Sequence, residues 1–204
     1  MAGNARETIA ASPQSIQVVG ICGSLRRESF TRSALQVALE GAKEAGAQTR
    51  LIDLSEYQLI FCDGKDDEST YPGDVMKLRE EVRLAQGIIL ATPDYHGGYS
   101  GVLKNALDLM GRKEFEGKML GLLGVSGGAM GASGAMSSLR EVCRSLHAWV
   151  IPEQAAIPEA WEAFDQAGNL KDKNLEKRVK EVGRQVTRFA YLHTSDQAHE
   201  FLIA

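Results

Sequence analysis

The sequence has few cysteines: Cys22, Cys62 and Cys143 are the only three among 204 residues, and they lie far apart. Disulfide frameworks use even numbers of cysteines, and thiolate metal sites usually contain a CxxC pair, which this chain lacks. We therefore expect no disulfide and no metal site. We interpret the three cysteines as small core or loop residues.

Long hydrophobic runs and clusters of basic residues are also absent. No segment approaches the roughly 20 apolar residues that span a bilayer, and the first residues contain no apolar core of signal-peptide length. Lys and Arg are dispersed in a chain of net charge -4, which argues against a nucleic-acid footprint and against a polybasic membrane patch. We expect a cytoplasmic protein that binds neither nucleic acid nor membrane and whose ligand is small.

Two common nucleotide-binding motifs are missing. The chain has no GxxxxGK[ST], and Gly20 and Gly23 do not have the spacing of a GxGxxG motif after the first strand. Asp53 ends the second strand, where a dinucleotide fold carries its ribose-binding acid. Without the glycine motif, we assign Asp53 a helix-cap or loop role.

Strand and helix patterns alternate along most of the chain. Apolar runs predict strands over residues 16–22, 49–54, 87–92, 119–125 and 148–152, and an amphipathic helix pattern follows each of them. This alternation predicts an α/β domain over residues 16–204, doubly wound, with a parallel sheet and helices on both faces. Residues 1–15 are small and polar, and we expect a flexible arm there. The long connection 55–73 is expected to be an active-site flap.

Three unusual loops follow the first, third and fourth strands. They are "GSLRRESFT" (23–31), "PDYHGGYSG" (93–101) and "SGGAMGASG" (126–134). In a doubly wound sheet, ligands bind outside the carboxyl ends of the strands. These three loops are therefore expected to lie together at the binding edge.

The first loop has the composition of a phosphate site. Ser24, Ser29 and Thr31 supply hydroxyl groups, Arg26 supplies a planar cation, and the next helix begins here with unpaired N–H groups. The structural alternative is ordinary helix capping by Ser29 or Thr31, with solvated arginines. The two glycine-rich loops allow the backbone to approach the edges of a flat aromatic ring.

These motifs, in this order, resemble the NADPH-dependent FMN reductase family of flavodoxin-like proteins, which includes azoreductases, quinone reductases and chromate reductases. The resemblance covers roughly residues 16–150, and its most specific part is "TPDYHGGYSGVLKNALD". It implies a five-stranded sheet in the order 2-1-3-4-5 and the cofactors FMN and NADPH. It also implies a ping-pong reaction in which hydride passes from NADPH through FMN to a small acceptor, namely a flavin, a quinone, an azo compound or a metal oxyanion.

The resemblance also implies site residues. The phosphate contacts of FMN fall on Ser24, Arg26, Ser29 and Thr31, and the isoalloxazine and ribityl contacts fall on Pro93, Asp94, Tyr95, His96, Gly97, Ser126, Gly127 and Gly128. Many relatives have Glu at the position of Asp94 and Asn at that of His96, so we expect the backbone contacts rather than the side-chain contacts to persist there. No side chain is assigned as catalytic, because the flavin carries the chemistry. Arg112 and Lys113 are candidate partners for a 2′-phosphate, and Arg27 has no assigned role.

One alternative is a serine esterase of the α/β-hydrolase type. "GVSGG" (124–128) matches the GxSxG nucleophile elbow with Ser126 as nucleophile, and "HGG" (96–98) resembles an oxyanion-hole motif. The remaining triad members would be Asp165 or Asp172 and His193 or His199. Both histidines lie in or beyond the last predicted helix rather than in a loop after a strand. An esterase would also have no function for the serine and arginine residues of the first loop, so we favour the reductase.

A second alternative is a non-enzymatic electron carrier of the flavodoxin type. Flavodoxins generally lack an arginine in the phosphate loop and flank the flavin with aromatic residues. Here Tyr95 is the only aromatic residue well placed for that role, so one face of the ring would stay open for a nicotinamide. We therefore expect an enzyme. Because two loop edges and the apolar helix that starts at Gly101 are suited to forming a ligand cleft between subunits, we also expect a homodimer or homotetramer.

Overall fold

The computed structural model of the chain describes residues 16–64 and 70–194. Its strands are β1 (Gln17–Cys22), β2 (Gln48–Asp53), β3 (Gly87–Pro93), β4 (Met119–Val125) and β5 (Trp149–Ile157). Its α-helices are α1 (Phe30–Glu44), α2 (Gly73–Leu84), α3 (Gly101–Asp108), α4 (Arg112–Phe115), α5 (Ser133–Ser145), α6 (Ala160–Ala163) and α7 (Lys173–Thr194). A 3-10 helix spans Leu54–Glu56. The arm predicted over residues 1–15 lies outside the described residues.

The five strands form one parallel sheet in the order β2-β1-β3-β4-β5, which confirms the predicted fold. Every residue of β3 and β4 is buried, as expected for central strands with helices on both faces. Helices α1 and α7 pack on one face of the sheet, and α2, α3 and α5 pack on the other. The carboxyl ends of β1, β3 and β4 therefore meet at one edge.

Strand β5 is longer than predicted. The prediction that it ends at Pro152 is wrong, because the strand continues to Ile157. Proline has no N–H to donate, but β5 is an edge strand and its pairing with β4 is irregular between Leu120 and Leu122. At such a position a missing donor disturbs the ladder little. The extension places the segment that follows Ile157 at the carboxyl edge of the sheet.

Helix α1 is fixed at its end and along its length. It ends before Gly46, whose φ of 94° is the left-handed conformation typical of a helix stop, as predicted. Along its length it contacts α7 backbone to backbone: a Cβ at Gly183 would lie 1.8 Å from the carbonyl oxygen of Ala38, and a Cβ at Gly41 would lie 2.0 Å from that of Lys180. This close contact holds α1 in place, so its amino end has a defined position at the binding edge.

The short helices α4 and α6 were not predicted. Each contains only four residues, which is about one turn and too short to show helical periodicity. Helix α4 is anchored by a buried ion pair in which Arg79 Nε lies 3.0 Å from Glu114 Oε1. Within the described ranges, no helix combines the length and apolar character needed to cross a membrane.

Candidate functional site

Hydrogen bonds fix the start of the first loop against β3 and α3. The Gly23 N–H donates to the carbonyl oxygen of Ala91 at 2.8 Å. The Ser100 hydroxyl donates to the carbonyl oxygen of Gly23 at 2.6 Å. A Cβ at Gly23 would lie 2.9 Å from the Cβ of Leu103, so only glycine allows this close approach. The loop therefore leaves the sheet at a fixed position.

The first loop leads into the amino end of α1, where several donors are grouped. Ser29 is the N-cap, and its Oγ accepts a hydrogen bond from the Arg32 N–H at 3.2 Å. Ser29 therefore caps α1, as the structural alternative described above has it, and its contact with a phosphate stays a prediction. The first turn of α1 carries no acidic residue, and its N–H groups have no acceptor within the helix. Ser24, Ser29 and Thr31 are buried here, with 2%, 8% and 3% exposure, so the helix end is suited to an anion.

Arg26 connects the first loop to the second. Its N–H donates to Ser24 Oγ at 3.4 Å. Its guanidinium carbon lies 5.9 Å from the centre of the Tyr95 ring, within the range of a cation–π interaction. The residue is exposed to solvent. Arg26 therefore contacts both the first loop and the second loop.

The second loop is a tight hairpin turn. Tyr95 and Gly98 exchange backbone hydrogen bonds of 2.9 and 3.1 Å. His96 and Gly97 between them have φ angles of 58° and 81°, the pattern of a type I′ turn. Asp94 Oδ1 accepts a hydrogen bond from the Gly97 N–H at 2.8 Å. The carboxylate of Asp94 therefore holds the turn, and His96 contributes its backbone conformation.

The third loop is held by β5 and covered by a tryptophan. The Ser126 N–H donates to the carbonyl oxygen of Ile157 at 2.9 Å. The Ser126 Oγ accepts a hydrogen bond from the Gly128 N–H at 3.0 Å. A Cβ at Gly127 would lie 2.5 Å from the Trp161 ring, so this loop requires glycine because of a residue 34 positions later in the chain. The tryptophan is 61% exposed.

The three loops converge on one cleft of about 310 Å³, called the first cleft below. Of the residues predicted as the site, those that line it are Ser24, Arg26, Ser29, Thr31, Pro93, Asp94, Tyr95, Ser126 and Gly127. His96, Gly97 and Gly128 belong to the same turns but do not line this cleft. The cleft is also lined by five residues that were not predicted as part of the site, namely Glu28, Phe30, Val125, Ala160 and Trp161. The signal that could have located Trp161 is the strand before it, which was ended too early at Pro152.

An apolar groove of about 460 Å³ lies on the other side of Tyr95. Asn105 holds the segment around residues 60–62 in place beside the groove. Its Nδ2 donates a hydrogen bond to the carbonyl oxygen of Ile60 at 2.9 Å, and its Oδ1 accepts one from the Cys62 N–H at 3.0 Å. Residues 65–69 lie outside the described residues, so the flap over 55–73 stays a prediction. The apolar groove is lined by Leu25, Leu54, Tyr57, Leu59, Phe61, Tyr95, Ser100, Gly101, Val102 and Asn105.

Asp53 has the cap role that was predicted for it. Its Oδ1 accepts a hydrogen bond from the Ser55 N–H at 3.0 Å at the start of the 3-10 helix. Its Oδ2 lies 2.6 Å from Arg32 Nε. Burial acts to raise the pKa of the Asp53 carboxyl, but the bonds from Arg32 and Ser55 outweigh burial and hold this pKa below its usual range.

Arg112 and Lys113 do not lie at the first cleft. They belong to α4, which precedes β4 and therefore lies at the amino edge of the sheet, opposite the three loops. Arg112 pairs with Glu116 within the same segment. The candidate role of these residues as partners of a 2′-phosphate at the binding edge is not supported by this position.

The three cysteines are free thiols. Cys22 and Cys143 are buried, and Cys62 is half-buried. Burial raises the pKa of Cys143 to about 12 and also raises the pKa of Cys22 above its ordinary value. In the part of the chain that the structure describes, no group of three or more His, Cys, Asp or Glu side chains could hold a metal ion.

The geometry argues against a hydrolase triad formed by Ser126 and His193. A Cβ at Gly117 would lie 3.8 Å from His193 Nε2, and Gly117 precedes β4, whereas Ser126 follows its other end. A strand of this length spans about 23 Å at about 3.3 Å per residue. Asp165 accepts hydrogen bonds from N–H groups of its own turn. His199, the other candidate base, lies outside the described residues.

Structures of known proteins share the fold. The chain superimposes on the apo form of an NADH:FMN oxidoreductase with a TM-score of 0.70, at 21% identity, over 85% of this chain and 89% of that one. It superimposes on a flavodoxin from the domain Archaea with a TM-score of 0.59, at 12% identity, over 86% and 99% of the two chains. At these identities the likeness establishes a flavodoxin-like fold.

Sequence comparison identifies the family. The chain is 37% identical to an NAD(P)H-dependent FMN reductase of Pseudomonas aeruginosa over 77% of this chain and 85% of that protein. It is 33% identical to an FMN-dependent NADPH-azoreductase of Staphylococcus aureus over 83% of this chain and 92% of that protein. The family model described as NADPH-dependent FMN reductase matches residues 16–162, which include all three loops. The chain therefore belongs to the NADPH-dependent FMN reductase family and is an oxidoreductase.

Proposed function

We propose that this protein binds FMN in the first cleft and uses it to transfer electrons from NADPH to a small acceptor. The observation that carries this proposal is the convergence of the three loops on one cleft at the carboxyl edge of the sheet. In a doubly wound fold, this edge is where ligands bind. Membership of the family supplies the two cofactors.

The amino end of α1 fits the phosphate of FMN. The first-turn N–H groups and the Ser24, Ser29 and Thr31 hydroxyls line one end of the first cleft. Arg26 adds a cation that can donate two parallel hydrogen bonds to phosphate oxygens. The positive end of the helix dipole and the absence of an acid in the first turn favour the same charge.

The other two loops fit the isoalloxazine ring and the ribityl chain. Pro93, Asp94 and Tyr95 form one wall of the first cleft, and Ser126 and Gly127 form another. The space next to the Cα atoms of Gly97 and Gly128 is unoccupied. A Cβ at Gly97 would have no atom within 4 Å, and a Cβ at Gly128 would have only Ser126 Oγ, at 3.7 Å. His96, Gly97 and Gly128 therefore contribute, in this proposal, through backbone groups beside the ring.

When bound, FMN would supply the redox chemistry, namely hydride acceptance from NADPH and electron transfer to the acceptor in a ping-pong cycle. The protein binds the phosphate, orients the ring between two loops, and presents N–H groups to the polar edge of the ring. We assign no catalytic side chain. The hydrogen bonds that Asp94 and Ser126 accept within the second and third loops preorganise these loops, so little order has to be created when the ring binds.

For the acceptor, we propose a flavin, a quinone, an azo compound or a metal oxyanion. The support is the range of activities in the names of its relatives, which include FMN reductases and an azoreductase. Steady-state rates at several fixed NADPH concentrations test the cycle with each acceptor class. Parallel double-reciprocal lines support a ping-pong cycle, and lines that intersect contradict it.

We also propose that the protein is a homodimer or homotetramer in the cytoplasm. Phe61 is 87% exposed and Leu25 is 52% exposed at the apolar groove next to the first cleft, and exposed apolar patches of this kind commonly mark interfaces. The free thiols fit a reducing compartment. Light scattering tests the oligomer: a monomeric mass at micromolar concentration contradicts it.

Titration of the flavin-free protein with FMN tests cofactor binding directly. We expect saturable quenching of flavin fluorescence with one FMN per chain, together with FMN-dependent oxidation of NADPH. If FMN does not bind at micromolar concentrations, the proposed function is wrong.

A further inference from the structure

A second cleft, of about 550 Å³, adjoins the first cleft and is unused in the function proposed above. The two clefts share Glu28, Ser29, Phe30 and Trp161. The rest of the second cleft is formed by the turn over residues 165–168 together with Arg27, Arg32, Ser33 and Phe164. A ligand that extends from the first cleft past Trp161 would enter this space.

Two consecutive arginines line different clefts. Arg26 lines the first cleft, and Arg27 lines the second, where it is exposed. Arg32 Nη1 donates to the carbonyl oxygen of Arg27 at 2.9 Å, while Arg32 Nε is bound by Asp53. The first of these bonds holds the backbone of Arg27 in place. The second pairs the positive charge of Arg32 with the carboxylate of Asp53. The guanidinium of Arg27 therefore provides the cation for a ligand in the second cleft.

Aromatic rings give the second cleft flat apolar surfaces. Trp161 is 61% exposed at the boundary of the two clefts. Phe30 stacks on Phe164 with ring centres 5.2 Å apart and planes 15° apart. Exposed aromatic faces beside a cation are suited to a nucleotide base, because bases stack on aromatic side chains.

The carboxylates of the second cleft differ in what they can bind. Asp165 accepts hydrogen bonds from Ala167 N, Asn169 N and Asn169 Nδ2 within its own turn. Glu28 is exposed at the boundary of the clefts. An ionised carboxylate is a hydrogen-bond acceptor only, so Glu28 suits hydroxyl groups such as those of a ribose.

We propose that the second cleft binds the adenosine end of NADPH, with the adenine on Trp161, a ribose hydroxyl on Glu28 and a phosphate on Arg27. The proposal rests on the proposed function in one respect: the nicotinamide end must reach the first cleft. It assigns a role to Arg27, for which no role was predicted, and a binding role to Trp161, which lies outside the three predicted loops.

Tryptophan fluorescence tests this proposal without any redox step. The chain has two tryptophans, and Trp149 begins β5 at the opposite edge of the sheet, so Trp149→Phe leaves Trp161 as the reporter. The probe is adenosine 2′,5′-bisphosphate, which carries no nicotinamide. We expect saturable quenching, a Kd about tenfold higher after Arg27→Ala, and no change after the control Arg188→Ala on the exposed surface of α7.

The outcomes separate this proposal from the proposed function. The absence of saturable quenching, or equal Kd values for the Arg27→Ala and Arg188→Ala proteins, overturns the assignment of the second cleft. A tenfold loss of FMN affinity after Arg27→Ala also overturns it, because Arg27 would then belong to the first cleft. Because the probe needs no flavin, binding of the probe by a protein that cannot bind FMN would refute the proposed function and leave the second cleft intact.

Discussion

The guanidinium carbon of Arg26 lies 5.9 Å from the centre of the Tyr95 ring, and this contact connects the phosphate loop to the hairpin across the first cleft. In our account the same guanidinium neutralises the phosphate of FMN. Arg26→Ala should therefore weaken FMN binding by about 1.5–3 kcal/mol, the net contribution of a hydrogen bond to a charged group. Titration of flavin fluorescence measures the change.

Arg27→Ala is the matched control for Arg26→Ala. It removes the same charge one residue later, but from the second cleft, so FMN affinity should stay close to that of the parent protein. Arg26→Lys should fall between parent and alanine variant, because lysine keeps the charge and loses the planar fork. If Arg26→Ala binds FMN as tightly as the parent, Arg26 is not part of the site.

Ser126→Ala distinguishes a flavin enzyme from an esterase. The Ser126 hydroxyl accepts one hydrogen bond from the Gly128 N–H, and its loss should loosen the third loop slightly. We expect NADPH oxidation to stay within about tenfold of the parent rate, in line with the loss of one neutral hydrogen bond of about 1 kcal/mol. An esterase assay should detect no turnover in either protein. Ester hydrolysis that disappears in the variant would instead support a nucleophilic serine.

Gly183→Ala tests the contact that holds α1 in place. The new Cβ would lie 1.8 Å from the carbonyl oxygen of Ala38, and backbone cannot yield as a flexible side chain can. We expect destabilisation by about 3 kcal/mol or more, measured by urea unfolding. The control is Gly73→Ala at the start of α2, where a Cβ meets nothing within 4 Å. That variant should be as stable as the parent or more stable by up to about 1 kcal/mol.

Alkylation should reveal one reactive thiol in the folded protein. The thiolate is the reactive form, and burial raises the pKa of Cys143 to about 12 and that of Cys22 above its ordinary value. Iodoacetamide at pH 8 should therefore modify Cys62 and spare the other two cysteines, as read by peptide mass spectrometry. The Cys62→Ser protein should take up no label until it is unfolded. Rapid labelling of Cys143 in the native protein would show that α5 is not packed as described.

The sequence predicted those parts of the fold that depend on local patterns. The three inner strands, β1, β3 and β4, could be located because their apolar runs are continuous and end in turn residues, as at 87–92. The end of β5 could not, because whether Pro152 breaks a strand depends on which other strands pair with it. The contact of α1 with α7 could not be predicted from local patterns either, because Gly41 and Gly183 are far apart in the chain.

In the candidate site, too, local patterns could be predicted from the sequence and contacts between distant residues could not. The three loops were found from composition, because hydroxyl, arginine and glycine residues after strands are local signals. Trp161 was missed because it follows β5 and reaches the first cleft only through packing on Gly127. The φ of 58° at His96 shows that this position serves the turn, and its contact with the cofactor stays a prediction. Histidine tolerates that conformation better than a β-branched residue does.

The visible absorption spectrum of the purified protein tests the central claim most directly. We predict that the protein supplied with FMN and then freed of unbound flavin keeps an absorption band at about 450 nm. NADPH should bleach this band in the absence of oxygen, and an added acceptor should restore it. A protein that retains no flavin band after this treatment, or whose bound flavin is not bleached by NADPH, would contradict the account.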